Sequence, residues 1–65
     1  MEELVYSLFI RNGTPAVVVT DNGRRWAHYF ETAERAIEFY EACLGKATDP
    51  ESRERFLRAV RARWN

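Results

Sequence analysis

Between positions 3 and 30 the chain breaks into three runs rich in β-branched, aromatic and aliphatic residues. These are residues 3–11, 15–20 and 24–30, separated by Asn12-Gly13 and Asn22-Gly23. Asn-Gly between β-type runs is the strongest short hairpin signal, because both loop residues of a type I′ turn need positive φ. Two such turns predict a meander of three antiparallel strands in the order 1-2-3.

The two turns can be checked against each other. A two-residue loop at 12–13 sets Arg11 opposite Thr14, Leu8 opposite Val17 and Tyr6 opposite Val19. A two-residue loop at 22–23 sets Asp21 opposite Arg24, Val19 opposite Trp26 and Val17 opposite His28. Residues directly opposite share a side of the sheet. One face then holds Leu4, Tyr6, Leu8, Ile10, Pro15, Val17, Val19, Trp26, His28 and Phe30. The other holds Val5, Ser7, Phe9, Arg11, Thr14, Ala16, Val18, Thr20, Arg25, Ala27 and Tyr29. The first set is almost wholly apolar, and a slip of one residue in either hairpin would scramble it.

From position 32 the spacing becomes helical. Thr32 is a suitable N-cap. Ala33, Ala36, Ile37, Tyr40, Cys43 and Leu44 fall on one arc of residues 33–44, with Phe39 at its margin and Glu34, Glu38 and Glu41 opposite. Gly45 is placed to end that helix. A second helix, residues 50–64, starts at Asp49-Pro50, or at a Thr48/Glu51 capping box, and carries Phe56, Leu57, Val60 and Trp64 on one stripe. Glu51 to Arg55 and Glu54 to Arg58 are favourable i,i+4 pairs, and Arg61 and Arg63 suit the helix C-terminus. The short loop predicts antiparallel neighbours whose acidic and basic flanks neutralise each other. The expected fold is therefore α+β: a three-stranded antiparallel meander with a C-terminal antiparallel helical hairpin packed on one face (βββαα). Residues 1–65 are expected to form a single domain.

Composition narrows the function classes. At 46% apolar with nine aromatics, the chain can build a core, which excludes compositional disorder. Formal net charge is zero, where a dedicated nucleic-acid binder shows a basic excess. The single cysteine, Cys43, cannot make an internal disulfide, and with the single His28 it falls short of a metal site. Acidic Glu2 and Glu3 stand where a signal peptide would be basic, and no apolar run reaches membrane-span length. The expected setting is cytoplasmic. The three glycines, two of them in hairpins, leave nothing for a phosphate loop, and HExxH, CxxC and GxSxG are absent.

Most candidate residues have an ordinary structural account. His28 on the apolar face reads as a packed neutral imidazole with one hydrogen bond. Cys43 reads as a small hydrophobe on a buried arc. The arginines at 53, 55, 58, 61 and 63 scatter around their helix and read as a solvated, ion-paired surface. The outer strands leave edges that a partner strand could join. The more informative feature is the second sheet face. If both helices cover one face, the other stays bare, with Phe9, Val18, Ala27 and Tyr29 at its centre and Arg11 and Arg25 at its rim. Aromatic and arginine anchors ringed by small polar residues are the composition of a recognition patch.

The order βββα with Phe30-x-Thr32-x-x-x-Ala36 at the strand-to-helix junction resembles phage-integrase arm-type DNA-binding domains, over about residues 4–44. That resemblance implies a sheet laid face-on into the major groove, read by Arg11, Arg25, Ser7 and Thr20. Zero net charge, apolar Val5, Phe9 and Val18 on that face and an extra helix depart from the pattern. In style, the paired Asn-Gly turns and Asp-Pro-Glu helix start are similar to a designed miniprotein; in size, the chain is similar to a phage or plasmid accessory protein.

The expected function is thus a small non-enzymatic binding module, such as a phage-type accessory or inhibitor protein. It docks a partner protein, or itself, through the helix-free face. Double-stranded DNA binding through that face, and a scaffold without biochemical activity, are the alternatives. No cofactor, metal, membrane or small-molecule substrate is expected.

Overall fold

The computed structural model describes residues 4–64, with side chains described as far as residue 62. Three strands, β1 (Leu4–Arg11), β2 (Thr14–Asp21) and β3 (Arg24–Tyr29), form one antiparallel sheet in the order β1-β2-β3. Two helices follow, α1 (Ala33–Leu44) and α2 (Pro50–Trp64). The βββαα α+β fold is the one the sequence implies.

Both turns take two residues. Asn12 and Asn22 have φ of 52° and 51°, and Gly13 and Gly23 follow at 80° and 89°. These are the paired positive values that a type I′ turn requires. The turns close on Arg11 with Thr14 and on Asp21 with Arg24, so Leu8 lies opposite Val17 and Val19 opposite Trp26. β2 is one residue longer at each end than the hydrophobic run suggests, because the closing pairs belong to the ladder. Phe30 lies beyond β3 but its N–H still donates to the Pro15 carbonyl at 2.9 Å.

The core sits between one sheet face and the helices. Val17, Val19, Ala33, Ala36, Ile37, Phe56 and Val60 are buried together, with Tyr6, Leu8, Ile10, Phe30, Phe39, Tyr40 and Leu57 packed around them. Phe56 and Val60 bring α2 to the same face as α1. α1 lies against β1 and β2, and α2 lies against α1. The small side chains Ala33 and Ala36, 5% and 0% exposed, let α1 approach the sheet closely.

Each helix end has a local cause. The Thr32 hydroxyl accepts from the Arg35 N–H at 3.2 Å. α1 ends where Gly45, at φ 73°, donates its N–H to the Glu41 carbonyl at 2.8 Å. α2 starts on Asp49, whose carboxylate accepts from the Ser52 N–H at 3.1 Å. Thr48 serves elsewhere, its N–H donating to the Glu41 carboxylate at 2.8 Å. That bond holds the Glu41 carboxyl below its ordinary pKa, with the nearby Arg53 charge acting in the same direction. Glu41 thereby ties the end of α1 to the approach to α2. Among the described residues, the ion pairs lie within α2 rather than between helices. Arg55 meets Glu51 at 3.7 Å and Arg58 meets Glu54 at 3.9 Å, all well exposed and worth a few tenths of a kcal/mol at about the usual scale for such pairs.

Two expectations change. Trp26 and His28 occupy the helix-bearing side of the sheet in the expected register, yet Trp26 is 42% exposed and His28 is exposed too. α1 lies against β1 and β2, and Phe56 and Ala59 of α2 line a hollow with Leu8 of β1, so β3 has little cover beyond the Phe39 ring at His28. Cys43 is half-buried and Leu44 is 37% exposed, so the last turn of α1 rises off the core. The expected places of the Arg63 and Trp64 side chains lie outside the described residues.

Ile37 is 2% exposed at the centre of the core. Ile37→Ala should cost about 2–5 kcal/mol, read as a lower urea midpoint, which in so small a domain is enough to populate the unfolded chain. The lowered Glu41 pKa sets a pH dependence. Its contribution is present above the unfolded-state pKa and is lost as pH falls through the folded one. Glu41→Gln should lower the melting temperature at pH 7, and the gap to the parent should close in acid.

Candidate docking face

The register alone assigns the helix-free face. Odd positions of β1, even positions of β2 and odd positions of β3 point away from the helices. They form cross-strand rows. Arg11 and Thr14 make the first, Phe9, Ala16 and Tyr29 the second, Ser7, Val18 and Ala27 the third, and Val5, Thr20 and Arg25 the fourth.

The second row shapes the surface. Ala16 is 0% exposed although no helix lies over it, while its neighbours Phe9 and Tyr29 are 50% and 51% exposed. Those two large residues flank Ala16 from β1 and β3, and bulky cross-strand neighbours shield a small side chain between them. Beside this row, Ser7, Val18 and Ala27 are short. Large side chains next to short ones leave a hollow of about 450 Å³. Its lining includes Ser7, Phe9, Val18, Thr20, Ala27 and Tyr29, with Arg11 and Arg25 at its ends. The six residues expected to meet a partner, Phe9, Arg11, Val18, Arg25, Ala27 and Tyr29, thus surround one depression. Val5, 46% exposed, extends the apolar surface along β1.

Among the described residues, charge on this face has one sign. Arg11 and Arg25 are the charged residues of the four rows, and no carboxylate lies among them. The acidic residues among the described ones lie on the helices, at the second turn, beyond β3 and in the loop before α2. Ser7, Thr14 and Thr20 add hydroxyls between the two guanidinium groups.

Two features escaped the pattern of residue types. Ala16 looked like one small residue among many; its burial follows from the size of its cross-strand partners, which the register could have disclosed. The Trp26–His28 pair looked like core. Its indole N–H donates to His28 Nε2 at 3.1 Å, and the imidazole lies tilted 5.2 Å from the Phe39 ring. Phe30 meets the same ring at 5.3 Å.

Among the described residues, no three His, Cys, Asp or Glu side chains are grouped so as to hold a metal ion, and no helix is long and apolar enough to cross a membrane. No protein-family model, curated protein or solved structure matches the chain.

The burial of Ala16 between Phe9 and Tyr29 makes a specific prediction. Ala16→Leu should force the two rings apart and cost about 1–3 kcal/mol in urea unfolding, although the position lies on the solvent side of the sheet.

Proposed function

We propose that this chain is a non-enzymatic binding module that docks a protein segment on the helix-free sheet face. The observation that carries this reading is the hollow between half-exposed Phe9 and Tyr29, floored by Val18 and Ala27 and ended by Arg11 and Arg25. A monomeric sheet face normally turns polar groups to water. Burying the exposed halves of the two rings would contribute about 1 kcal/mol each.

The charge of the face selects the occupant. With arginines at both ends and no carboxylate, a copy of the same face would bring like charges together. The fitting partner is a segment with one or two apolar side chains flanked by Asp or Glu. Its apolar groups enter the hollow, and its carboxylates meet the guanidinium groups in bidentate pairs. An accessory or inhibitor protein acts in this way, by occupying a surface rather than by chemistry. The setting we propose is cytoplasmic, since the lone thiol of Cys43 suits a reducing compartment.

Duplex DNA is the second reading. The same arginine-only charge and the three hydroxyls favour it, and the hydrophobic centre of the face opposes it. Salt dependence separates the two, because phosphate binding collapses steeply as salt rises.

Peptides selected from a random display library provide the probe. Enriched sequences should pair an aromatic or aliphatic residue with Asp or Glu. Their titration should shift amide signals of Phe9, Val18, Ala27 and Tyr29, and Phe9→Ser with Tyr29→Ser should abolish binding with an unchanged circular dichroism spectrum. Shifts confined to other residues would refute the docking face. Retention on heparin at low salt, lost in Arg11→Ala/Arg25→Ala, would transfer the face to DNA.

A further inference from the structure

The uncovered side of β3 calls for its own account. α1 lies over β1 and β2 with α2 beside it, and Trp26 is 42% exposed and His28 exposed on the side of the sheet that elsewhere forms the core. The edge of β3 is open as well. Because the Phe30 N–H donates to Pro15, the residues Pro15, Val17 and Val19 turn their backbone groups toward β3, onto Phe30, His28 and Trp26. The alternate residues of β3, Arg25, Ala27 and Tyr29, therefore direct N–H and C=O outward into the free edge.

We infer that this edge and the aromatic ledge beside it form a self-association surface. A second copy adds its own β3 antiparallel, across a two-fold axis through Ala27, and doubles the sheet. Three features of the strand support a copy of this chain as occupant.

The first is self-complementarity about Ala27. In this register Arg25 lies opposite the copy's Tyr29 on the helix-free side, where a guanidinium can rest on a phenol ring. Trp26 lies opposite the copy's His28 on the helix side, an aromatic cross-strand pair. Ala27 meets itself at the axis, with no bulk to hold the strands apart. A slip of one residue would set helix-side against helix-free side chains, and a slip of two shortens the pairing.

The second is charge. β3 begins with Arg24 on its helix side and is followed by Glu31. A hollow beside the end of β3 is lined by Phe30, Glu31, Arg35, Glu38 and Phe39, with one more carboxylate than cation. Antiparallel pairing brings the copy's Arg24 opposite Phe30, at the mouth of that hollow and within reach of Glu31 and Glu38.

The third is room. With α1 set over β1 and β2, the space beneath β3 is open on both copies, and two sets of Trp26, His28, Phe30 and Phe39 would fill it. The β1 edge differs: the hollow beside its Leu8 is walled by Phe56 and Ala59 of α2, which no described residue of α2 does along β3. The pairing leaves both helix-free faces on one side of the enlarged sheet and shares Arg25, Trp26 and Tyr29 with the docking hollow; the cross-link at Ala27 reads the pairing alone.

Sedimentation equilibrium of the full chain across the micromolar range tests this. The expected mass is twice the 7.7 kDa of one chain. Ala27→Glu sets two carboxylates against each other at the axis and should return the monomer, with its far-ultraviolet spectrum unchanged. In a Cys43→Ser background, Ala27→Cys should oxidise to a covalent dimer. A hydrogen-bonded antiparallel pair holds its Cα atoms about 5.5 Å apart, within the span of about 4.4–6.8 Å that a disulfide bridges. Ser7→Cys, exposed on the other outer strand, should not cross-link. A monomer at every concentration, a dimer indifferent to Ala27→Glu, or cross-linking through Ser7 as fast as through Ala27 would each overturn the proposal.

Discussion

Positive φ at Asn12, Gly13, Asn22 and Gly23 is the constraint on which the molecule rests. Asparagine and glycine tolerate it, so both hairpins turn over two residues and close on Arg11 with Thr14 and on Asp21 with Arg24. Because side chains alternate along a strand, these two closures decide the direction of every side chain in the sheet. They gather Val17 and Val19 beneath the helices and leave Phe9, Val18 and Tyr29 on the far side.

The second level of organisation is the seating of the helix hairpin. Ala33 and Ala36 bring α1 close to β1 and β2, and Phe56 and Val60 fasten α2 beside it. Glu41 joins the two helices by receiving Gly45 on its carbonyl and Thr48 on its carboxylate. Two helices packed about 8–10 Å apart could span three strands about 4.8 Å apart, but only if centred. Here they are not centred. The apolar material of β3 therefore stays at the margin of the core, and Phe39 alone among the α1 side chains reaches His28 as a ring contact.

The chain thus carries apolar surface of two kinds. On the helix-free face it is concave, charged among the described residues only by arginine, and shaped by Phe9 and Tyr29 on either side of Ala16. Along β3 it is a ledge with unpaired backbone groups and charges of opposite sign at its two ends. The first is the surface for which we propose a short acidic segment, and the second the one for which we propose a strand of the same sequence. Both are built by the same three strands, and the side chains of Arg25 and Tyr29 border each of them.

Strand order, register, helix positions, both caps of α1 and the composition of the bare face were determined by the sequence itself. They follow from interactions between residues close in the chain: a two-residue turn, a cap three residues from its donor, an arc of apolar side chains. The choice of Asp49 over Thr48 to start α2 was open until Thr48 was seen bonded to Glu41. The burial of Ala16, the exposure of Trp26 and His28 and the depth of the docking hollow were decided only in the tertiary structure. Each depends on where one whole element sits against another. A periodic pattern states which side of a strand or helix is apolar, but the lateral offset of the helix pair is set by how side chains of different size interlock, and that sum has no local signature.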